Sequence, residues 1–224
     1  MARSFDDNEA NYLMATSAPL TSYPATLFAW LKTADNINGS QILNVMNNAG
    51  PNNGFWMFHS TSGTLNINTG DDDVNSTPSI SAASFTNGVW YNVAATFTDD
   101  PTHQGWLDGV ASPEQTDTKT TFTATPDRVG VGVESGSPFT NPFDGDISWP
   151  CIWDVKLGDG AIKYLAEGNH PRLIYPESIV WYCGSMEGTG NETDLIGSAD
   201  LIETGTVGNA SSKVLNEAPT PQIF

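Results

Sequence analysis

Short stretches in which apolar and polar residues alternate dominate the pattern along the chain. In residues 90–97, Tyr91, Val93, Ala95 and Phe97 occupy every second position. Because successive side chains of an extended strand point to opposite faces, this spacing predicts a strand with one face in a core. Comparable stretches bounded by turn-forming residues predict further strands at 11–14, 27–33, 41–46, 55–59, 64–68, 120–124, 128–133 and 179–186. The chain is therefore expected to be all-β.

A strand late in the chain is rich in bulky residues. Ile147, Trp149, Cys151 and Trp153 stand at every second position and are predicted to share one face. Pro150 interrupts them and indicates an edge or a bulge, because proline has no N–H to donate to a neighbouring strand.

One short helix is predicted directly after this strand. Gly158 or Asp159 is placed to cap its start, and Ile162 and Leu165 lie one turn apart. Gly168 is placed to end it in the left-handed conformation. A helix this short is marginal alone, so it is expected to pack against a sheet.

The strand and the helix together resemble the C-terminal hallmark of laminin G-like and pentraxin-like domains, which belong to the concanavalin A-like superfamily. The resemblance rests on Phe143-x-Gly145-x-Ile147, Ile152-Trp153-Asp154 and Leu157-x4-Ile162-x2-Leu165-x2-Gly168. Residues 25–33, 90–97 and 105–110 resemble earlier strands of the family, so the likeness runs from about Ser4 to Trp181. It implies a concanavalin A-like jelly-roll β-sandwich of two antiparallel sheets with one short helix. The fold hosts lectins, hydrolases, adhesion modules and virion proteins, so it leaves the function open.

Length and composition fit one large β domain. The chain has 224 residues with 21 Gly and 14 Pro, as many short strands joined by tight turns require. We expect a single laminin G-like domain over residues 1–216 and an extended C-terminal arm over residues 217–224, which contains Pro219 and Pro221.

Acidic residues outnumber basic ones by 26 to 8, for a formal net charge of −18. Binding to nucleic acid or to an anionic membrane needs basic groups that neutralise phosphates, so neither is an expected partner. The first residues, 1–7, lack the apolar run of a secretory signal, so we expect synthesis in a cytoplasm without a signal peptide. Two buried free thiols are the default expectation for Cys151 and Cys183, with a disulfide as the alternative.

No enzymatic activity is expected. Glycoside hydrolases of this superfamily often carry Glu-x-Asp-x-x-Glu on one strand, where paired carboxylates act across the sugar. The most similar stretch here, Glu192-Thr193-Asp194-Leu195-Ile196-Gly197, has glycine in place of the final acid. We interpret it as a chance match.

Calcium is the metal that the resemblance suggests. Pentraxin-like relatives carry a Glu-Gln-Asp-type run after the strand corresponding to residues 128–133, and here only Glu134 matches it. Asp71, Asp72 and Asp73 could supply carboxylate oxygens from another loop, which suit a hard cation.

Sugar binding requires aromatic rings beside hydrogen-bonding groups. Five tryptophans are expected in the core: Trp30, Trp90, Trp149, Trp153 and Trp181. This leaves Trp56 and Trp106 as the candidate exposed rings for carbohydrate.

The function predicted from the sequence is a non-enzymatic virion surface protein of a tailed bacteriophage, either a capsid decoration or a tail-associated protein. It would bind viral coat or tail proteins, or further copies of itself, and it could contact host glycans. The alternatives are a soluble lectin, assisted by calcium, and a glycoside hydrolase.

Overall fold

The structure is a computed structural model that describes residues 2–6, 11–34, 39–48, 53–71, 74–75, 79–98, 102–116, 122, 124–135, 141–184 and 190–210. Within these ranges the strands form two antiparallel sheets, and there is one α-helix. This confirms the predicted β-sandwich. The strands are β1 (Ala2–Phe5), β2 (Tyr12–Ala15), β3 (Ala25–Thr33), β4 (Ser40–Met46), β5 (Gly54–His59), β6 (Thr64–Asp71), β7 (Val74–Asn75), β8 (Ser79–Ser84), β9 (Trp90–Phe97), β10 (Thr102–Leu107), β11 (Val110–Ala111), β12 (Gln115–Thr116), β13 (Arg128–Val131), β14 (Gly145–Trp153), β15 (Ile179–Tyr182), β16 (Ile202–Thr204) and β17 (Gly208–Ala210).

The first sheet has the order β11-β10-β9-β3-β14-β1-β17, with β12 beside β10 and β15 beside β14. The second has the order β16-β2-β13-β4-β5-β6-β7, with β8 beside β6. Their inner faces enclose the main core, which includes Leu27, Val45, Phe55 and Val93. Burying such side chains supplies the main driving force for folding.

A third layer covers the outer face of the first sheet. It is formed by helix α1 (Asp159–Ala166) and two short 3-10 turns, Pro171–Leu173 and Pro176–Ser178. Ile162 and Leu165 of α1 are fully buried in a second apolar cluster that also contains Trp106 and Trp153. Gly168 follows the helix with φ of +91°, as predicted for its end. No helix in the described ranges is long and apolar enough to cross a membrane.

The glycine of the hallmark motif is required by backbone packing. Gly145 pairs with Thr33 and has φ of +138°, and a Cβ there would lie 2.1 Å from the backbone oxygen of Lys32. Phe143 and Ile147 on either side point into the core. The motif thus joins β14 to β3 at a distance that only glycine allows.

The bulge predicted at Pro150 is present and changes which side chains share a face. The pairing of β14 with β3 shifts between Ser148 and Cys151, and Trp149 has φ of +51°. Ile147 lies between the sheets, whereas Cys151 and Trp153 lie in the second cluster. The prediction of one common face was therefore wrong, because the extra residue reverses the alternation.

An ion cluster joins the two ends of the described chain. β1 pairs with β14 and with β17. The guanidinium of Arg3, fully buried, donates to Glu192 at 3.0 Å and to Glu203 at 2.7 Å. Burial would raise the pKa of Glu203, but hydrogen bonds from the Val207 N–H, from Arg3 and from the Gly190 N–H outweigh it, so this pKa lies below its ordinary value.

Other local predictions have mixed outcomes. Asp108 and Gly109 have φ of +51° and +74°, which confirms a turn with two positive φ angles. Cys151 and Cys183 are free and buried, as expected. The strand predicted at 120–124 lies mostly outside the described residues, and positions 122 and 124 are not in a strand. The predicted arm, 217–224, lies wholly outside them.

Candidate functional site

The outer face of the second sheet carries a row of amide and aromatic side chains. Asn44 on β4 pairs with Trp56 on β5, which pairs in turn with Asn68 on β6. The neighbouring positions Phe55 and Met57 belong to the core between the sheets. By alternation, the row faces away from that core.

A second row lies beside it on the same face. Gln41 pairs with Phe58, and Phe58 pairs with Asn66. The register shifts between Gln41 and Leu43, and both Ile42 and Leu43 pack in the core. This bulge keeps Gln41 on the outer face together with Asn44.

The turn after β13 folds back over this face and is held by Asn44. The Asn44 amide donates to the backbone oxygen of Val133 at 2.6 Å, and its oxygen accepts from the N–H and the hydroxyl of Ser135. Gly130 lies beneath the turn, and a Cβ there would lie 2.7 Å from the Val133 oxygen. Glu134 stands between these two anchored residues.

Glu134 is fixed from a second direction by Asn141. The Asn141 Nδ2 donates to Glu134 Oε2 at 2.7 Å, and the backbone oxygen of Asn141 accepts from the Gln41 N–H at 2.9 Å. The carboxylate is thereby tied to the end of β4 that carries Gln41.

These groups line a cleft of about 230 Å³. Its walls include Gln41, Trp56, Phe58, Asn68 and Glu134. This volume is slightly smaller than the roughly 300–1,000 Å³ typical of clefts for drug-sized ligands. The cleft therefore suits a small polar unit with an apolar face.

The side chain of Gln41 is the least satisfied group in the cleft wall. The residue is only 6% exposed, and its Oε1 has no hydrogen-bond partner among the residues that the structure describes. An unpartnered buried acceptor costs about 1–3 kcal/mol. A ligand hydroxyl or N–H group that reached this oxygen would remove that cost.

The two tryptophans predicted to bind carbohydrate lie in different parts of the structure. Trp56 lines the cleft, but it is only 4% exposed. Trp106 is 2% exposed and lies in the cluster beneath α1. The expectation that both rings are exposed was therefore wrong, and Trp106 has no access to a ligand. Trp90 and Trp149, expected in the core, are partly exposed.

Of the predicted calcium ligands, Glu134 alone has a side chain in the described part of the chain. Glu134 lies at the cleft, Asp71 ends β6, and Asp72 and Asp73 lie outside the described residues. No group of three or more His, Cys, Asp or Glu side chains with the spacing of a metal site occurs within the described ranges. Calcium prefers six to eight oxygen ligands with several carboxylates, and here an amide N–H of Asn141 already occupies one oxygen of Glu134. The described part of this donor set, a single carboxylate, does not by itself fit a calcium ion.

The acid pair considered for hydrolysis has structural partners instead. Glu192 is paired with Arg3, and the carboxylate of Asp194 accepts from the N–H groups of Tyr182, Ile196 and Ala199. Both carboxylates hold the C-terminal segment in place, in agreement with a chance match.

The sequence analysis missed four polar residues of the cleft region: Gln41, Asn44, Asn68 and Asn141. A signal for one of them, Asn68, was present, since Asn66 and Asn68 alternate with the core residues Leu65 and Ile67. The order of the strands, which places β4, β5 and β6 side by side, was not readable from one sequence.

Two antiparallel sheets packed face to face, with one short helix on an outer face, form a jelly-roll β-sandwich. Residues 6–163 match the profile of a laminin G family described as the concanavalin A-like lectin/glucanases superfamily. The match covers more than half of the 224 residues, and the chain belongs to this superfamily. No curated protein matches the sequence.

Several solved structures share the fold at low identity. The native heptameric SAP-like pentraxin from Limulus polyphemus has a TM-score of 0.67 and 17% identity, with 92% of this chain and 94% of that chain covered. A putative carbohydrate binding protein from Bacteroides ovatus has a TM-score of 0.70 and 15% identity, with 94% and 60% covered. The Ruminococcus gnavus IT-sialidase CBM40 bound to α2,3 sialyllactose has a TM-score of 0.55 and 13% identity, with 74% and 98% covered. At these identities the likeness concerns the fold alone.

Proposed function

We propose that this protein is a non-enzymatic carbohydrate-binding module and that the cleft on the outer face of the second sheet holds the sugar. The observation that carries the proposal is the buried, unpartnered Oε1 of Gln41 in the cleft wall. A change of the Gln41 rotamer would present this oxygen to a sugar hydroxyl, while the apolar face of a sugar ring packs on Phe58 and on the edge of Trp56.

The fold neighbours support the same class of ligand. A putative carbohydrate binding protein and a sialyllactose-bound module share this sandwich. Within the cleft, amide groups beside aromatic rings supply both donors and acceptors, as the hydroxyl pattern of a sugar requires.

A glycan array followed by calorimetric titration tests the proposal. Phe58→Ala removes part of the platform and should weaken binding by about 2- to 12-fold, from the roughly 0.5–1.5 kcal/mol of an aromatic contact. Tyr164→Ala is the matched control, because Tyr164 is exposed on α1 beyond the opposite sheet. An array without any bound glycan, with calcium and with a chelator alike, would contradict the proposal.

Calcium assistance is tested in the same titration. The described donor set predicts that binding persists after chelation. Loss of binding in the chelator, restored by added calcium, would place a metal site on residues outside the described ranges.

A role on the surface of a virus particle is a separate and more specific proposal. Its support is the net charge of −18, which suits an exposed and soluble lattice. A decoration or tail-associated protein could display the cleft towards host glycans. We expect the protein to co-purify with virus particles at fixed stoichiometry, and recovery from soluble lysate alone would contradict this role.

A further inference from the structure

The described residues that line the cleft carry a net negative charge. Glu134 is the only charged side chain among the described residues that line it. Arg128, on the same sheet, lies beside its neighbour Asp127 and donates to the sulfur of Met14.

The negative charge of Glu134 is held in place. Asn141 binds its Oε2, the turn that carries it is clamped at Val133 and Ser135 by Asn44, and Asn141 is bonded to the backbone of Gln41. The carboxylate cannot swing away from an anionic ligand without breaking its bond to Asn141. A ligand that binds Gln41 would therefore bring its own charge close to that of Glu134.

We infer that the cleft selects uncharged glycans and excludes those that carry a carboxylate or a sulfate. This inference rests on the proposed sugar-binding function and specifies its ligand class. Like charges brought together at a partly desolvated site repel strongly, and such repulsion is a common source of specificity.

The test compares neutral oligosaccharides with acidic derivatives of the same sugars. Lactose, cellobiose, maltose and diacetylchitobiose are arrayed beside sialylated, uronic or sulfated counterparts, and the best pair is titrated. We expect at least about tenfold preference for the neutral partner at low salt. The preference should shrink as salt rises, because the screening length falls from about 30 Å at roughly 0.01 M to about 8 Å at roughly 0.15 M.

Glu134→Gln should reduce the neutral-to-acidic ratio by about threefold or more, because it removes the charge and keeps the shape. Glu177→Gln is the matched control, since Glu177 is exposed in a 3-10 turn near the opposite sheet and its loss changes the net charge equally. Preferred binding of acidic glycans, lost in Phe58→Ala, would overturn the selectivity but leave the sugar-binding function standing. A ratio that Glu134→Gln does not change would also overturn it, and binding of neither class would overturn both proposals.

Discussion

Replacing Gln41 by methionine should stabilise the unliganded protein and weaken ligand binding at the same time. Gln41 is 6% exposed and its Oε1 has no partner among the described residues. Methionine keeps the unbranched shape without an unpaired acceptor, which costs about 1–3 kcal/mol when buried. We expect a gain of about 1 kcal/mol in the free energy of unfolding, or about 2–4 °C in Tm for a chain of this size.

The same substitution removes the acceptor that we assign to a sugar hydroxyl. Losing one hydrogen bond of about 0.5–1.5 kcal/mol should weaken binding by about 2- to 12-fold. Scanning calorimetry without ligand and calorimetric titration with glycan measure the two effects. Gln104→Met is the matched control, because the Gln104 amide donates to the Ser112 backbone oxygen at 2.8 Å and its loss should lower Tm. A lower Tm for Gln41→Met together with unchanged affinity would refute the reasoning, since Gln41 would then be a structural residue.

Three further predictions concern the ion cluster and the turn above the cleft. Arg3→Met should destabilise the fold by about 3–5 kcal/mol in denaturant unfolding, because it removes the cation between the buried carboxylate of Glu192 and the partly buried carboxylate of Glu203, and adding Glu192→Gln and Glu203→Gln should restore part of this loss. The pKa of Glu203 is lowered in the folded state, so its contribution to stability is present above about pH 4.3 and is lost as the pH falls through the folded pKa; Glu203→Gln should give a flatter profile of Tm against pH. Gly130→Ala should displace the turn that carries the cleft carboxylate and reduce glycan binding, whereas Gly160→Ala, which has open space around it within α1, should retain binding and raise Tm; unchanged binding in Gly130→Ala would contradict the role of the turn.

The β-sandwich could be predicted from the sequence because strands and tight turns have characteristic patterns within short stretches of chain. Alternation within residues 90–97 predicted β9 at its observed bounds, and the turn at Asp108 and Gly109 needed only positive φ angles. The common face assigned to Ile147 and Cys151 was wrong, since a bulge of one residue reverses alternation and its effect depends on pairing with β3.

The cleft was only partly predictable, because its residues come from strands that are distant in sequence. Trp56 and Glu134 were both named as candidates for separate sites, one for sugar and one for metal, and they line the same cleft. Gln41 stands out only through a missing partner, which no sequence pattern reveals. Trp106 failed because the helix that covers it follows some fifty residues later, and propensity does not tell which sheet face a helix covers.

The bonds between Arg3 and the end of the chain also constrain how the molecule can be made. Arg3 and Glu203 are separated by 200 positions, and β1 has β17 as its outer neighbour. While a ribosome is still synthesising the later strands, Arg3 has neither carboxylate partner and β1 has an open edge. Final closure therefore waits until Glu203 and β17 have been synthesised, as expected for folds with distant contacts, and a fragment that stops before Glu192 would lack both carboxylate partners of Arg3.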